Sequence, residues 1–325
     1  MTSPVLVLLD HAADGALRPS AAELVTIASP LAGDGGVLGA WVGDRPGPDA
    51  LAVLAAHGVA AVHVVRPDAD PALSAVAAEA VTAVLGASGA GLVLIPSTFE
   101  GKEVAAHLAA STGAGVVTDA DGVQLQDGVP LASKTVLAGT WTTRCSVLGA
   151  PAVVTVKANA VPAEPVAAPT EPVVVEHELA VSPAARRVEL VERTERAPSD
   201  RPDLSGAQVV VVGGRGTEGD FGPIEELADL LGAAVGATRV ATDEGWIAKE
   251  AQIGQTGVTV TPRLYIGAGV SGAVHHRGGM QAAGTIVAVN SDPDAPIFEI
   301  ADFGVVGDLF TVLPQATAEL RRLLG

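Results

Sequence analysis

Gln208-Val209-Val210-Val211-Val212-Gly213-Gly214-Arg215-Gly216 is the stretch that decides the fold. Four consecutive valines without polar alternation read as a strand buried on both faces, the pattern of a parallel sheet. A glycine loop follows directly, and a helix is expected from about 223 to 235, opening near Pro223. Strand, glycine turn and helix make the first part of a doubly wound unit. Such a turn lets backbone approach a phosphate, and exposed N–H groups with the helix dipole favour an anion there. It is not the GxGxxG fingerprint, however, and a plain turn uses the same residues, so both readings stand at this point. Further strands fit near 237–241, 264–267 and 285–290, and the chain closes with a helix from about 314.

Upstream the alternation recurs. Val5–Leu9, Val37–Val42, Val59–Val65 and Leu92–Ile95 are continuous apolar runs, separated by helical stretches at about 20–32, 49–57, 70–86 and 100–113. Ser20-Ala21-Ala22-Glu23 has the spacing of a capping box. From about 123 to 157, β-rich segments such as Lys134–Leu137 and Val153–Val156 follow one another without helices, which predicts an antiparallel addition to the first sheet. Residues 160–172 hold four prolines and read as an extended surface excursion. The polar stretch Arg193–Asp203, with Pro198 and Pro202, predicts a boundary between two domains, 1–195 and 196–325. The expected fold class is α/β: an N-terminal parallel-sheet domain with an antiparallel β addition, then a C-terminal doubly wound domain.

Composition agrees. Of 325 residues, 48% are hydrophobic but only 3% aromatic, so Ala, Val, Leu and Gly build the core. Side chains that small let helices lie close on parallel sheets. Asp and Glu outnumber Lys and Arg by 37 to 19, a formal charge of -18. That charge argues against nucleic acid and anionic membrane, which recruit proteins through basic patches. The single cysteine, Cys145, excludes an internal disulfide and a thiolate zinc cluster. No basic region precedes the first apolar run, which Asp10 ends, so a buried strand is expected rather than a signal peptide, and a cytoplasmic location with it. Val81–Phe99 runs 19 residues without a charge, but Gly86, Gly89, Gly91 and Pro96 break it into a helix end, a turn and a strand.

No GxSxG elbow, HExxH, P-loop or C-x-x-C occurs. Cys145 lies in Thr142-Thr143-Arg144-Cys145-Ser146, a strand-like run, and reads as packing. The chain offers instead polar loops beside strand ends: Gly213–Gly216, Gly236–Arg239, Gly254–Gly257 and Ser271–Met280. His275 and His276 are adjacent, and adjacent helical residues face different ways, so a metal pair is not expected. Arg215, placed at a glycine turn in so acidic a chain, favours a diphosphate ligand. Ligands of open α/β sheets bind at strand carboxyl ends, so ligand binding is better supported than catalysis.

Together these loops resemble the alpha subunit of the electron transfer flavoproteins. The resemblance rests on Gly213-Gly-Arg-Gly216, Gly236-Ala-Thr-Arg239, Ile253-Gly-Gln-Thr-Gly257, Leu264–His276, Ile286–Phe298 and Ala301–Phe310, in that order. It is strongest from Leu204 onward, and the first domain matches in pattern only. The resemblance implies FAD bound by the C-terminal domain and a heterodimer whose beta subunit holds AMP. It implies electrons taken from flavin dehydrogenases, notably those of fatty-acid oxidation, and passed to a quinone-reducing membrane enzyme. Residue by residue it places Arg215 near the diphosphate, Thr238 where the family often has serine, and Arg239 over the isoalloxazine. Gln255 and Thr256, preceded by Ile253 and Gly254, come at the N5 and C4 edge of the ring. Ser271, Gly272, Ala273, Val274, His275 and His276 wrap ring and phosphates, with His276 near the pyrimidine carbonyl; Asn290, Asp308 and Leu309 hold the ribose and adenine end. Departures are His275 for a usual glutamine and Arg277-Gly278 for a usual Leu-Ala. An electron carrier needs no acid–base machinery because the flavin supplies the chemistry, which accounts for the missing catalytic motifs. Two alternatives are an NAD-dependent oxidoreductase using the Gly213 loop and a non-catalytic nucleotide-binding module. The first lacks both GxGxxG and an acidic residue about 20 positions on.

Overall fold

Unbroken apolar runs become parallel strands throughout this chain, because only a sheet covered by helices on both faces hides them from water. The structure, a computed structural model, describes residues 3–137, 140–149, 151–192 and 200–324. Residues 193–199, most of the expected boundary segment, lie outside the described residues. The chain divides into two units, one from residues 1–134 and 143–195, the other from 135–142 and 196–325.

The first unit runs β1 (Val5–Leu8), α1 (Pro19–Ala32), β2 (Val37–Val42), α2 (Pro48–Ala56), β3 (Val59–Pro67), α3 (Ser74–Ser88), β4 (Leu92–Pro96) and α4 (Phe99–Thr112). Then come β5 (Gly115–Ala120), β6 (Gly122–Gln126), β7 (Val129–Val136), β8 (Trp141–Ser146), β9 (Ala152–Val156) and β10 (Val173–Leu179), with residues 135–136 of β7 and 141–142 of β8 falling in the other unit. The seven-stranded sheet has the order β10-β3-β2-β1-β4-β9-β5 and is parallel throughout. One apolar cluster packs α1 and α2 on one face, and a second packs α3 and α4 on the other.

Several expectations for this unit need correction. Val153–Val156 is not antiparallel: β9 inserts parallel between β4 and β5, where all five of its residues are buried. The antiparallel addition is a separate sheet of order β6-β7-β8, with β6 and β7 joined at Asp127-Gly128. Both turn residues have positive φ, 53° and 78°, as a two-residue hairpin matching strand twist requires. Ser20 does not cap α1, which begins at Pro19 after Arg18, and Glu23 is buried and accepts from the Asn159 amide at 2.7 Å. The proline-rich excursion is anchored on α2 through Val166 N to Ala56 O (2.9 Å) and Thr170 N to Ala55 O (3.0 Å). It delivers the unforeseen edge strand β10 alongside β3. Among the described residues no helix is long and apolar enough to cross a membrane.

The second unit runs β11 (Val209–Gly213), α5 (Gly222–Leu231), β12 (Ala234–Ala237), α6 (Arg239–Asp243), β13 (Leu264–Ala268), α7 (Val274–Arg277), β14 (Thr285–Asn290), β15 (Phe303–Val306) and α8 (Leu309–Leu324). Its parallel sheet has the order β12-β11-β13-β14-β15. Counted along the unit this is 2-1-3-4-5, a doubly wound order that reverses between β11 and β13. The strand expected at 237–241 ends at Ala237; Thr238 is extended and Arg239 already opens α6. The last helix starts at Leu309 rather than 314, led in by Asp308, whose carboxylate accepts from Phe310 N at 3.1 Å. Pro314 is accommodated inside it.

Candidate functional site at the carboxyl edge of the second sheet

Where a doubly wound sheet reverses direction, the loops leaving its two central strands part and open a crevice at their carboxyl ends. Here those strands are β11 and β13, and the loops are 214–217 and 269–273. They meet backbone to backbone: Gly214 N donates to Ala268 O (3.0 Å) and Gly216 N to Gly269 O (3.1 Å). A Cβ on Gly214 would stand 2.2 Å from Gly269 O, so only glycine permits this approach. Thus the glycines expected to cradle a phosphate serve the contact between two loops, and two of their amides are already used. What the turn offers outward is Arg215, exposed and without a carboxylate partner among the described residues.

All the residues singled out from sequence fall on this edge. Arg215 follows β11; Thr238 and Arg239 follow β12; Ser271–His276 follow β13; Asn290 ends β14; Asp308 and Leu309 follow β15. Ile253–Thr256 join them because Ile253 N donates to Ala237 O at 2.9 Å, seating that loop at the end of β12. The loop is tied to α7 by Gln255 N to His275 O (3.0 Å) and by His275 Nδ1 donating to Gln255 Oε1 (2.8 Å). Gly272, at φ +80°, lies so close to Ile297 that a Cβ would come 2.4 Å from its backbone nitrogen. Asn290 fastens the two flanks, donating from Nδ2 to Val270 O at 2.8 Å while its own carbonyl accepts from Gly307 N. The Ile253 and Leu309 side chains are buried in the core, which leaves their backbone for a ligand.

Two placements differ from expectation. Arg239 is exposed and its Nε pairs with Asp243 at 3.0 Å; Lys249 reaches the same carboxylate at 2.7 Å. The hydrogen bond from Lys249, then that from Arg239, holds the Asp243 carboxyl below its usual range. Water and salt screen an exposed pair of this kind, so little holds Arg239 there and it is free to exchange the carboxylate for another anion or ring. His276 is the second. It is 6% exposed, Nδ1 lies 3.1 Å from Ile253 O and Nε2 lies 2.7 Å from the Tyr265 hydroxyl. A carbonyl only accepts, so Nδ1 carries the proton and Tyr265 donates to Nε2. Burial lowers its pKa to about 4, so the ring is neutral near pH 7. With both nitrogens engaged, the expected contact of the His276 ring with a pyrimidine carbonyl is not available in this arrangement; the ring secures the 253–257 loop instead.

Sequence reasoning overlooked Thr242, Gln252 and Tyr265. Gln252 is buried, with Oε1 3.0 Å from Thr242 Oγ1 and Nε2 2.9 Å from Thr256 Oγ1. Tyr265, the sole tyrosine, is fully buried in a strand, and desolvation pushes its phenol up. A lone hydroxyl-bearing ring inside an otherwise apolar strand was the available signal.

The edge suits an elongated anionic, aromatic ligand such as FAD. The buried Thr238 Oγ1 has no partner at the end of β12, while Arg215 and Arg239 supply positive charge. Comparison with known proteins leads the same way. The family described as the electron transfer flavoprotein FAD-binding domain matches residues 203–281, and the electron transfer flavoprotein domain matches residues 5–182. The electron transfer flavoprotein subunit alpha of Mycobacterium leprae is 43% identical over 325 residues, covering 98% of this chain and 99% of that protein. Its namesake from Mycobacterium tuberculosis is 45% identical over 326 residues, covering 99% of each. That of Bacillus subtilis is 33% identical over 332 residues, covering 98% of each.

Proposed function

The chain belongs to the electron transfer flavoprotein alpha subunits, and from that premise we propose that it is the FAD-carrying half of a heterodimeric electron carrier. Its partner in this reading is a beta subunit that holds AMP. Flavin dehydrogenases, acyl-CoA dehydrogenases among them, supply the electrons, and a quinone-reducing membrane enzyme receives them. The carrier has no stand-alone catalytic site. The reading divides the chain into a partner-contacting domain, 1–195, and a cofactor domain, 196–325.

The observation that carries the proposal is the gathering of sixteen sequence-selected residues on one sheet edge, with the Thr238 hydroxyl left unpartnered there. FAD, when bound, supplies the redox chemistry; the chain's residues bind, orient and tune it. Arg215 meets the diphosphate, where guanidinium geometry matches paired phosphate oxygens. Arg239 leaves Asp243 and lies over the ring, where its permanent charge favours added electron density. Thr238 satisfies its hydroxyl on the ligand. Tyr265 and His276 hold the Ile253 carbonyl, and with it the loop carrying Gln255 and Thr256.

Coexpression with a beta subunit, followed by an absorption spectrum and a count of FAD per heterodimer, tests the proposal. Oxidised flavin bands and one FAD on the alpha chain are expected. A colourless heterodimer, or a protein whose activity needs NAD, would refute it.

A further inference from the structure

Gln252 bridges α6 and the 253–257 loop while only 2% exposed, so water cannot complete its hydrogen bonding. Its neighbours have an unusual property: they can be satisfied in two ways. The Thr242 hydroxyl has one proton and two acceptors in reach, Arg239 O at 2.9 Å and Gln252 Oε1 at 3.0 Å. In one arrangement Thr242 donates to Gln252 Oε1, and Gln252 Nε2 donates to Thr256 Oγ1 at 2.9 Å. The Thr256 proton is then free to donate outward, because a hydroxyl can accept and donate at once. Half a turn of the amide exchanges Oε1 and Nε2 at almost unchanged positions. Thr242 then donates to Arg239 O, Gln252 Nε2 donates to Thr242 Oγ1, and Thr256 donates inward to Oε1. Outward, Thr256 now shows only lone pairs.

We propose that Gln252 is a positioning residue whose buried amide acts as a reversible relay, converting the exposed Thr256 hydroxyl between donor and acceptor towards the ligand. The inference rests on the FAD reading above. A flavin ring nitrogen that is a lone-pair acceptor when oxidised carries a proton, and donates, when reduced. A hydroxyl of fixed sense would suit one of those states and oppose the other. The relay lets a single residue meet both, with the compensating change hidden in the protein interior and no heavy atom displaced by more than an amide rotation. The fixed part of the loop makes this possible: Ile253 O is clamped by His276, and Gln255 N by His275 O, so the hydroxyl can change sense without the backbone moving.

Redox-difference infrared spectroscopy tests the relay on the full chain copurified with its beta partner, with glutamine side-chain carbonyls carbon-13 labelled. A labelled carbonyl band pair is expected on reduction, lost in Gln252→Met and lost in Thr256→Val. The second variant alters an exposed side chain and keeps the test decisive if the first does not fold. Flavin present with no labelled band pair that Gln252→Met removes, or with every labelled pair surviving Thr256→Val, overturns the relay and leaves the cofactor reading intact; a pair from Gln255, whose carbonyl is held by His275, is present in both variants and is subtracted. A copurified protein without flavin overturns both. A role confined to packing would alter the thermal midpoint of Gln252→Met and leave no redox-linked Gln252 carbonyl band in the wild type.

Discussion

Acidification strikes the second unit at His276. In the unfolded chain its imidazole titrates near the ordinary 6.5, whereas burial lowers the folded value to about 4. Between those values the unfolded chain binds a proton that the folded chain refuses, so stability falls as pH falls through the window and is regained above 6.5. At about 1.4 kcal/mol per pH unit, the span corresponds to about 3 kcal/mol lost by pH 4. A loss of that size is a substantial part of the roughly 5–15 kcal/mol that holds an ordinary domain folded. Amide hydrogen exchange of peptides from β11, β13 and β14, corrected for the intrinsic pH dependence of exchange, reads the effect directly. His276→Gln is the control, since glutamine offers a donor and an acceptor but does not titrate; its baseline stability is lower and its slope between pH 6.5 and 4 shallower. Carboxylates elsewhere titrate equally in both proteins and cancel. Identical slopes in the two proteins, or an imidazole that titrates near 6.5 by NMR in the folded chain, would refute the reasoning.

Tyr265→Phe leaves the His276 Nε2 lone pair without a donor in a site closed to water, and costs about 1–3 kcal/mol in denaturant unfolding at pH 7. Combined with His276→Gln, its effect is expected to be less than additive, because both act on one hydrogen-bonded pair. Gly214→Ala drives a Cβ to 2.2 Å from Gly269 O, and is expected to separate the two central loops and abolish flavin retention through gel filtration. Gly232→Ala, at φ +60° but with nothing within 4 Å, is expected to cost about 1 kcal/mol while keeping the flavin. Arg239→Ala is expected to leave the thermal midpoint essentially unchanged, as its ion pair is exposed and screened. Its effect lies in the first-electron potential: a charge-assisted contact of about 1.5–3 kcal/mol, at ~59 mV per tenfold change, lowers that potential by about 60–130 mV in spectroelectrochemical titration.

The parallel strands were legible because burial on both faces removes polar alternation, and in Leu92–Pro96 or Val209–Gly213 the shortness of the run and its closing proline or glycine favour a strand over a buried helix. Strands whose burial is one-sided or marginal escaped: β10 and β15 are edge strands, with Val173, Phe303 and Val306 exposed, and their patterns resemble loops. The β9 correction has a topological cause. Its sequence shows that it is buried but not between which strands it lies, and the absence of a helix before it suggested a hairpin. In fact the three-stranded β6-β7-β8 sheet provides the crossover that a helix usually makes. Capping went astray at Ser20 because Glu23 has a tertiary partner, the Asn159 amide, more than a hundred residues away.

At the site, legibility followed whether a residue's task is outward or inward. Arg215, Arg239 and Thr256 are exposed, and residue type and motif alone are enough to single them out as candidates. Gln252 and Tyr265 act through partners at other points of the chain, Thr242 and His276, and in sequence they look like polar interruptions of apolar runs. The same division explains the glycines. A glycine turn after a strand is commonly read as room for a phosphate, yet Gly214 and Gly216 make room for the Gly269 loop. The requirement for glycine is real in both readings, and only the identity of the approaching backbone separates them. A cofactor loop in a doubly wound sheet therefore has two glycine requirements, one set by the ligand and one by the neighbouring strand's loop. Here Gly214→Ala is expected to fail through the second, because the backbone that a Cβ would meet is that of Gly269.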